Sequence, residues 1–452
     1  MLSLLWTDYL IFALLLGLIG IVFNTRNKAH LQRPWQKVFD STIGMVSLSV
    51  LLMFLLIGLL DSTRLQLATS NDAGEPNGHT EIISVLDILL SPIRTRYEKT
   101  YSAPFAHTAY AKEMVLDDSG HKQWIYPRLQ FAGTHLAEPN HQKVHDISIK
   151  SLKGLGQGVL VWLACVSLLL FFSKDCSYRT RSKGQRTALL SLLSICSLIG
   201  VLANLAPYYH VLGTDKVGED VLYQAIKSIR TGLVIGALTS FVMLPIAISL
   251  GLLAGFFRGW VDDLIQYLYT TLSSVPGVLL IAAAILMAQV YMTNNPELFT
   301  TVEERADMRL LLLCLILGLT SWTGLCRLLR AETLKIREMD YVVAAQTLGV
   351  SRLRILKRHV LPNVMHLVMI TVVLDFSGLV LAEAVLSYIN IGVDPSSYSW
   401  GNMINSSRLE MARDPVVWWS LTAAFIFMFG LVLAANLFAD VVRDAFDPRS
   451  HH

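Results

Sequence analysis

The chain has 452 residues, of which 53% are hydrophobic and only 16% charged, with a formal net charge of +3. Soluble domains carry about 25% charged residues, so there is too little charge here to coat the two or three polar-surfaced domains this length would otherwise give. A disordered chain, a disulfide scaffold and an ordinary soluble enzyme are excluded, the small charge argues against nucleic-acid binding, and a polytopic membrane protein remains.

A spanning helix needs about 20 mostly apolar residues to cross a hydrocarbon core about 30 Å thick. Nine stretches qualify, at 3–23, 39–60, 156–172, 188–206, 231–257, 264–291, 309–329, 364–389 and 416–439. Residues 1–10 hold Asp8 and neither Lys nor Arg. A positive n-region is therefore lacking, and the first stretch reads as a retained span rather than a cleaved signal. All five cysteines lie in or beside apolar stretches, with no framework or metal spacing.

Basic residues mark the cytoplasmic side. The loop after the first span carries Arg26, Lys28, Arg33 and Lys37, and the loop after the third Lys174, Arg179, Arg181, Lys183 and Arg186. The loop after the seventh carries Arg330, Lys335, Arg337, Arg352, Arg354, Lys357 and Arg358. All three follow odd-numbered spans, which predicts an outside N-terminus and a cytoplasmic C-terminus.

The organisation expected is therefore two helices in 1–60, an external insert over 61–155, and a third helix with a basic loop in 156–187. A six-helix domain over 188–449 follows, with a cytoplasmic loop at 331–362. The insert is polar, is broken by Gly74, Pro76, Pro104, Pro127 and Pro139, and holds six of the twelve histidines. His135, His141 and His145 match no zinc spacing and read as solvated.

Residues 207–230 are expected outside, either meeting a partner or lying at the interface with Lys216, Lys227 and Arg230 at lipid headgroups. Pro245 and Pro276 fall inside spans and are expected to kink them. Asp375 and Glu383 are ionisable groups within the eighth span. Each either faces a translocation cavity, where a carboxylate meets an amino group, or hydrogen-bonds a neighbouring helix.

The stretch 337–363 is the most informative. Tyr341 to Leu348 are mostly good helix formers, Gly349 supplies a stop, and Ser351 can cap a second, basic helix running to Pro362. Small Ala344, Ala345 and Gly349 would let another surface approach. Spacing alone leaves open whether that surface is a protein or anionic lipid.

Three residues separate Ala345 from Gly349, and nine separate Gly349 from His359-Val360-Leu361-Pro362. That pattern resembles the EAA loop of ABC-importer permeases, and Tyr341-Val342 with Arg358 to Asn363 resembles its dipeptide/oligopeptide variant. Val343 stands where the motif has an acid. His210-Val211-Leu212-Gly213-Thr214-Asp215 followed by Gly218-Glu219-Asp220-Val221 is similar to another segment of that family, with Glu219 in place of its Arg. Glu383 to Tyr388, Ser399 to Met403 and Arg443 to Arg449 extend the likeness, which covers about 188–449 and leaves 1–187 unaccounted for.

The resemblance implies an all-α permease subunit of type I architecture, the C-type partner of a second permease, in a bacterial cytoplasmic membrane. It implies two cytoplasmic ATPase subunits, an extracytoplasmic peptide-binding protein, and ATP with magnesium used by those partners rather than by this chain. Consistent with that division, the sequence has no G-x-x-x-x-G-K-[ST] phosphate loop. The implied coupling residues are Tyr341, Ala344, Ala345, Leu348, Gly349, Ser351, Arg352, Arg354 and Pro362. Gly213, Thr214, Asp215, Gly218 and Asp220 are the implied external gate or partner contact. Relatives carry dipeptides, longer peptides, nickel or glutathione. An ATP-independent secondary transporter or channel is the competing class, and a membrane-anchored enzyme or sensor built on 61–155 is a third.

Overall fold

A computed structural model describes residues 5–25, 29–70, 76–116, 122–172, 183–298 and 301–446. Arg26, Lys28, Lys174, Arg179, Arg181, Gly74 and the tail residues Asp447, Pro448 and Arg449 lie outside the described residues. In chain order come α1 (Trp6–Thr25), α2 (Ala29–Asp40), α3 (Thr42–Ser62), strands β1 (Arg64–Ser70) and β2 (Pro76–Ser84), and the short helices α4 (Val85–Leu89) and α5 (Ser91–Arg94). The hairpin β3 (Glu113–Leu116) and β4 (Lys122–Ile125) follows, then α6 (Pro139–Phe172), α7 (Lys183–Leu205), α8 (Val221–Phe257), α9 (Trp260–Ser274) and α10 (Gly277–Asn294). The chain ends with α11 (Val302–Ser321), α12 (Thr323–Arg337), α13 (Asp340–Thr347), α14 (Arg352–Ile355), α15 (Leu361–Tyr388), α16 (Trp400–Glu410) and α17 (Trp419–Phe446). Both strand pairs are antiparallel.

Among the described residues eight helices are long and apolar enough to cross a membrane. The first expected span is helical as α1 over 20 residues, its described apolar stretch being Trp6–Gly20. The third begins earlier than expected, at Pro139 rather than among the glycines. The sixth is not one kinked span. Val275 is extended (φ −85, ψ 132) and Pro276 opens a new helix, its carbonyl accepting from Leu279 and Leu280 N–H. The residue before proline is pushed out of the helical region, so the chain breaks there. By contrast α8 continues through Pro245.

The chain divides into two compact units, one comprising Phe39–Thr231 and Tyr398–Ala434 and the other Leu5–Val38, Gly232–Ser397 and Ala435 onward. In the first unit α6 and α7 cross at backbone contact. A Cβ on Gly154 would lie 2.5 Å from the Gly200 oxygen, one on Gly158 2.5 Å from the Cys196 oxygen, and one on Gly200 2.4 Å from the Gly154 oxygen. In lipid, where apolar side chains gain nothing by leaving the solvent, this close approach and a few polar contacts hold helices together. Asn204 donates to Gln157 (2.6 Å) and Trp162 to the Leu189 oxygen (2.9 Å). Ser191 joins α7 to α3 through Ser49 (2.9 Å).

In the second unit, one apolar core gathers Met243, Leu252 and Phe256 of α8, Ile265 of α9, Leu325, Leu329 and Ile336 of α12, and Val364 and Val368 of α15. A second joins α8, α10, α11 and α15 through Ile235, Ile285, Leu313, Leu317 and Leu379. The Thr7 N–H donates to Asp307 (3.0 Å), which fastens α1 to α11.

The α6–α7 crossing should tolerate no side chain. Gly200→Leu is expected to cost about 1–3 kcal/mol by overpacking and to lower the thermal midpoint of the purified protein in detergent. Gly156→Leu, with nothing within 4 Å of its Cβ, should leave it unchanged. Equal midpoints would contradict this packing.

Candidate functional site

The segment 338–363 forms the short helix, the turn and the start of the basic helix expected, with a division of faces that the sequence did not reveal. Leu348 N–H donates to the Ala344 oxygen, Gly349 N–H to Gln346 and Val350 N–H to Ala345. With Gly349 at φ +77, this is a Schellman stop, and the left-handed backbone explains the glycine. Val342 and Ala345 are buried at 0% and 7% exposure in the core that holds Ile355, Leu356 and Val360. Ala345 is thus spent on internal packing, whereas Ala344, Gly349, Ser351, Arg352, Arg354 and Pro362 are exposed.

Leu348 is 82% exposed and Leu353 62%. Tyr341 turns partly inward, its hydroxyl accepting from Asn363 at 2.9 Å. Ser351 does not cap through its side chain, but its carbonyl accepts from Arg354 and Ile355 N–H. The basic helix also does not end at Pro362. A π turn over Leu356–Val360 widens the spiral just ahead, and α15 runs on through Pro362 near its start. The wider turn relieves the clash that a proline ring makes with the preceding turn.

Behind α13, a set of charges fastens α12 to the α8–α9 turn. Arg330 binds Asp262 in a two-point fork, Nε to Oδ1 at 2.6 Å and Nη2 to Oδ2 at 2.7 Å. That bond holds the Asp262 carboxyl below its ordinary pKa against the opposing effect of burial. Arg337 donates to the Phe256 oxygen at the end of α8 (2.7 Å), and Arg258 meets Glu338 at 2.5 Å. Arg258 and Gly259 both take positive φ, 52 and 66, to make this turn. None of these partners was expected from sequence. The only signal is Asp262 in the first turn of α9, directly after that glycine.

The loop 207–220 is held by its own chain. Asp220 caps α8, its Oδ1 accepting from Leu222 (2.8 Å) and Tyr223 (3.4 Å), and its Oδ2 meets His210 Nδ1 at 2.7 Å. Thr214 accepts from Ser102 N–H (2.7 Å) and donates to the Thr100 oxygen (2.9 Å), while its carbonyl accepts from Trp419 Nε1 (2.9 Å). Asp215 takes N–H bonds from Val217 and Glu219, both at 2.9 Å. A Cβ on Gly218 would fall 1.7 Å from the Glu98 oxygen, and one on Gly213 2.4 Å from the Ser102 oxygen. Gly213, Thr214, Gly218 and Asp220 are therefore buried under residues of the 61–155 insert, whereas Tyr208, Lys216 and Val217 of the loop are exposed.

Glu219 accepts from Tyr398 (2.5 Å) and Gln224 (2.9 Å), donors that suit a carboxylate, and burial raises its pKa. Lys227 and Arg230 do not reach for headgroups. Lys227 sits between Asp61 (2.5 Å) and Asp87 (2.9 Å), and Arg230 bonds Ser62 (3.3 Å).

Of the two carboxylates in α15, Glu383 is buried and accepts from Ser387 at 2.7 Å, so it braces the end of its own helix. Asp375 is half-buried and has no hydrogen-bonding partner among the described residues.

Eight helices apolar enough to cross a membrane among the described residues, with a built, half-exposed loop between two of them, define a polytopic membrane protein. Residues 247–452 match the family described as binding-protein-dependent transport system inner membrane component, and the chain belongs to that family. It is 31% identical over 241 residues to an oligopeptide transport system permease protein of Mycobacterium bovis, covering 53% of this chain and 76% of that protein. A dipeptide transport system permease protein of Lactococcus lactis is also 31% identical over 241 residues, here 64% of the relative's length. A glutathione transport system permease protein of Pectobacterium atrosepticum is 29% identical over 242 residues, 73% of its length.

The loop predicts its own pH response. Burial disfavours charge on His210, but Asp220 and Glu98 outweigh it and push the imidazole up to about 9 from 6.5. Glu98 resists burial in turn through bonds from His210 and from the Gln130, Phe131 and Ala132 N–H groups. Because the folded pKa lies above the unfolded one, the stabilisation is full below pH 6.5 and is lost as pH rises through about 9. It amounts to roughly 3 kcal/mol. Hydrogen exchange at Gln130–Ala132, corrected for its intrinsic rate, should accelerate across that window, and His210→Gln should abolish the change. Flat protection in the native chain would contradict the assignment.

Proposed function

We propose that this chain is one permease subunit of an ATP-driven importer of peptides, working by alternating access. The partners are a second permease, two cytoplasmic ATPase subunits and an extracytoplasmic binding protein, with the N-terminus outside and 338–363 in the cytoplasm. The observation that carries the reading is the two-faced α13. Val342 and Ala345 are packed into the membrane helices, while Leu348 and Leu353 stand bare beside Arg352 and Arg354. An exposed apolar knob in a basic rim suits a groove with an acidic edge on another protein.

ATP binding and hydrolysis belong to the partner subunits, and what this chain supplies is a rigid lever. Closure of the ATPase pair displaces α13. Because α13 shares a core with α12 and α15, the displacement moves those helices as a body rather than bending the loop. The cargo follows from the relatives named for dipeptides and oligopeptides. Glutathione, named for another relative, is itself a short peptide and stays within the class. Asp375 of α15, without a hydrogen-bonding partner among the described residues, is the carboxylate assigned here to meet a peptide's amino group on the way through.

The lever can be uncoupled. Gly349→Val forces a β-branched residue into a left-handed backbone, costing about 1–2 kcal/mol, and Leu348→Glu alters the exposed knob without touching the core. In proteoliposomes carrying the ATPase subunits and binding protein, both should cut ATP-driven peptide uptake by more than about tenfold (1.4 kcal/mol of coupling). Membrane insertion and residual ATP hydrolysis should persist. Normal uptake in both variants would overturn the reading.

A further inference from the structure

The hairpin β3–β4 stands out from the first unit with its described side chains uncovered. Trp124 is 63% exposed, Tyr126 52%, Met114 50% and Ile125 42%. Met114 and Trp124 are direct cross-strand partners. A two-stranded hairpin is marginal in water even with a polar surface, and a bare Trp–Met pair beside Ile and Tyr adds apolar area that calls for a cover.

What covers it follows from where it is rooted. Its two legs are joined by the Ala109 N–H donating to the Pro127 oxygen at 2.8 Å. Next to that bond, the Tyr110 hydroxyl donates to the Val416 oxygen at 3.0 Å, and its ring meets Trp419 edge-on at 4.9 Å. Trp419 is the first residue of the spanning helix α17. The root therefore lies where α17 enters the bilayer. Trp124 is three residues from Pro127, at most about 10 Å of extended chain, and the headgroup layer on each side of the hydrocarbon is about 5–8 Å deep.

The hairpin is also rooted beside an exposed apolar surface, Val416 and Trp418 at the mouth of α17 being 43% and 50% exposed. Lys112 lies 5.5 Å from the Tyr126 ring centroid and Lys122 is exposed, Glu113 is paired with Lys99 at 2.7 Å, and the sequence places Asp117 and Asp118 between the two strands. Tryptophan and tyrosine flanked by lysines is the composition of a membrane interface.

We infer that β3–β4 is an interfacial anchor, with Met114, Trp124 and Tyr126 seated in the headgroup layer beside α17 and Lys112 and Lys122 at lipid phosphates. It fixes the height of a segment whose Glu98, Thr100 and Ser102 grip the loop 213–218. The inference rests on α17 crossing the membrane and not on the nature of the cargo.

The test uses the full chain in nanodiscs of phosphatidylethanolamine and phosphatidylglycerol. Nitroxides are placed one at a time through Trp124→Cys and Tyr126→Cys after replacing the five native cysteines. Labels at Gln346→Cys and Leu160→Cys give the water and lipid references, both native side chains being exposed. The ratio of oxygen to nickel-chelate collision at 124 and 126 should be several-fold above that at 346 and shifted toward that at 160. A ratio equal to that at 346 overturns the anchor. Protection from both reagents also overturns it, in favour of a protein cover. Independently, with native cysteines in place, dibrominated lipid should quench a tryptophan component that Trp124→Phe removes, and an unchanged quenched fraction would count against the proposal.

Discussion

A bilayer offers no partner for a backbone N–H or C=O, and it makes an unpaired charge expensive. This constraint governs most of what the chain does. Backbone groups are consumed in long helices, and the ionised side chains near those helices are drawn into pairs: Lys227 with Asp61 and Asp87, Arg330 with Asp262, and Arg309 with Asp394 and the Gly392 oxygen. Such pairs add little stability beyond what apolar residues of the same size would give. Removing one partner, however, strands a charge and costs several kcal/mol. They work as locks.

The same constraint shapes the lever. The chain leaves the membrane after α12 and returns through α14 and α15, and α13 between them is too short to be stable alone. It is helical because Val342 and Ala345 complete the core of the surrounding helices and because Gly349 can close it. Its other face then has no internal use, which leaves Leu348 at its end and Leu353 of α14 exposed for the proposed partner. The fork between Arg330 and Asp262 extends the seat to α9. By comparison Arg258–Glu338 is largely exposed and is worth at most about 1 kcal/mol. On the proposed reading, displacement of α13 reaches α9 both through the core they share at Ile265 and through Arg330.

Local chemistry was legible in the sequence, and partners distant along the chain were not. The helix from 341 to 348 and its stop at Gly349 follow from propensity and backbone conformation, and the structure has both. The three prolines look alike as sequence, yet each has a different outcome. Pro276 breaks the chain because Val275 takes the extended conformation. Pro362 is absorbed by a π turn, and α8 simply continues past Pro245. These outcomes depend on how neighbouring turns pack, which no window of residues reveals. Likewise Gly213 and Gly218 announce tight turns, but nothing local says that Ser102 and Glu98 fill the space beside them. Lys227 was equally compatible with lipid headgroups until Asp61 and Asp87 came into view.

The proposal on which the account turns is that the Arg330–Asp262 fork, added to the core shared with Ile265, carries the motion of α13 into α9. Exchanging them tests it: Arg330→Asp alone, Asp262→Arg alone, and the two together, reconstituted with the ATPase subunits and binding protein. The measured quantity is peptide taken up per ATP hydrolysed, which a simple loss of folded protein does not alter. Each single change should depress that ratio and the exchange should restore it. Single variants with the native ratio, or an exchanged pair that folds, hydrolyses ATP and still fails to couple, would contradict the account.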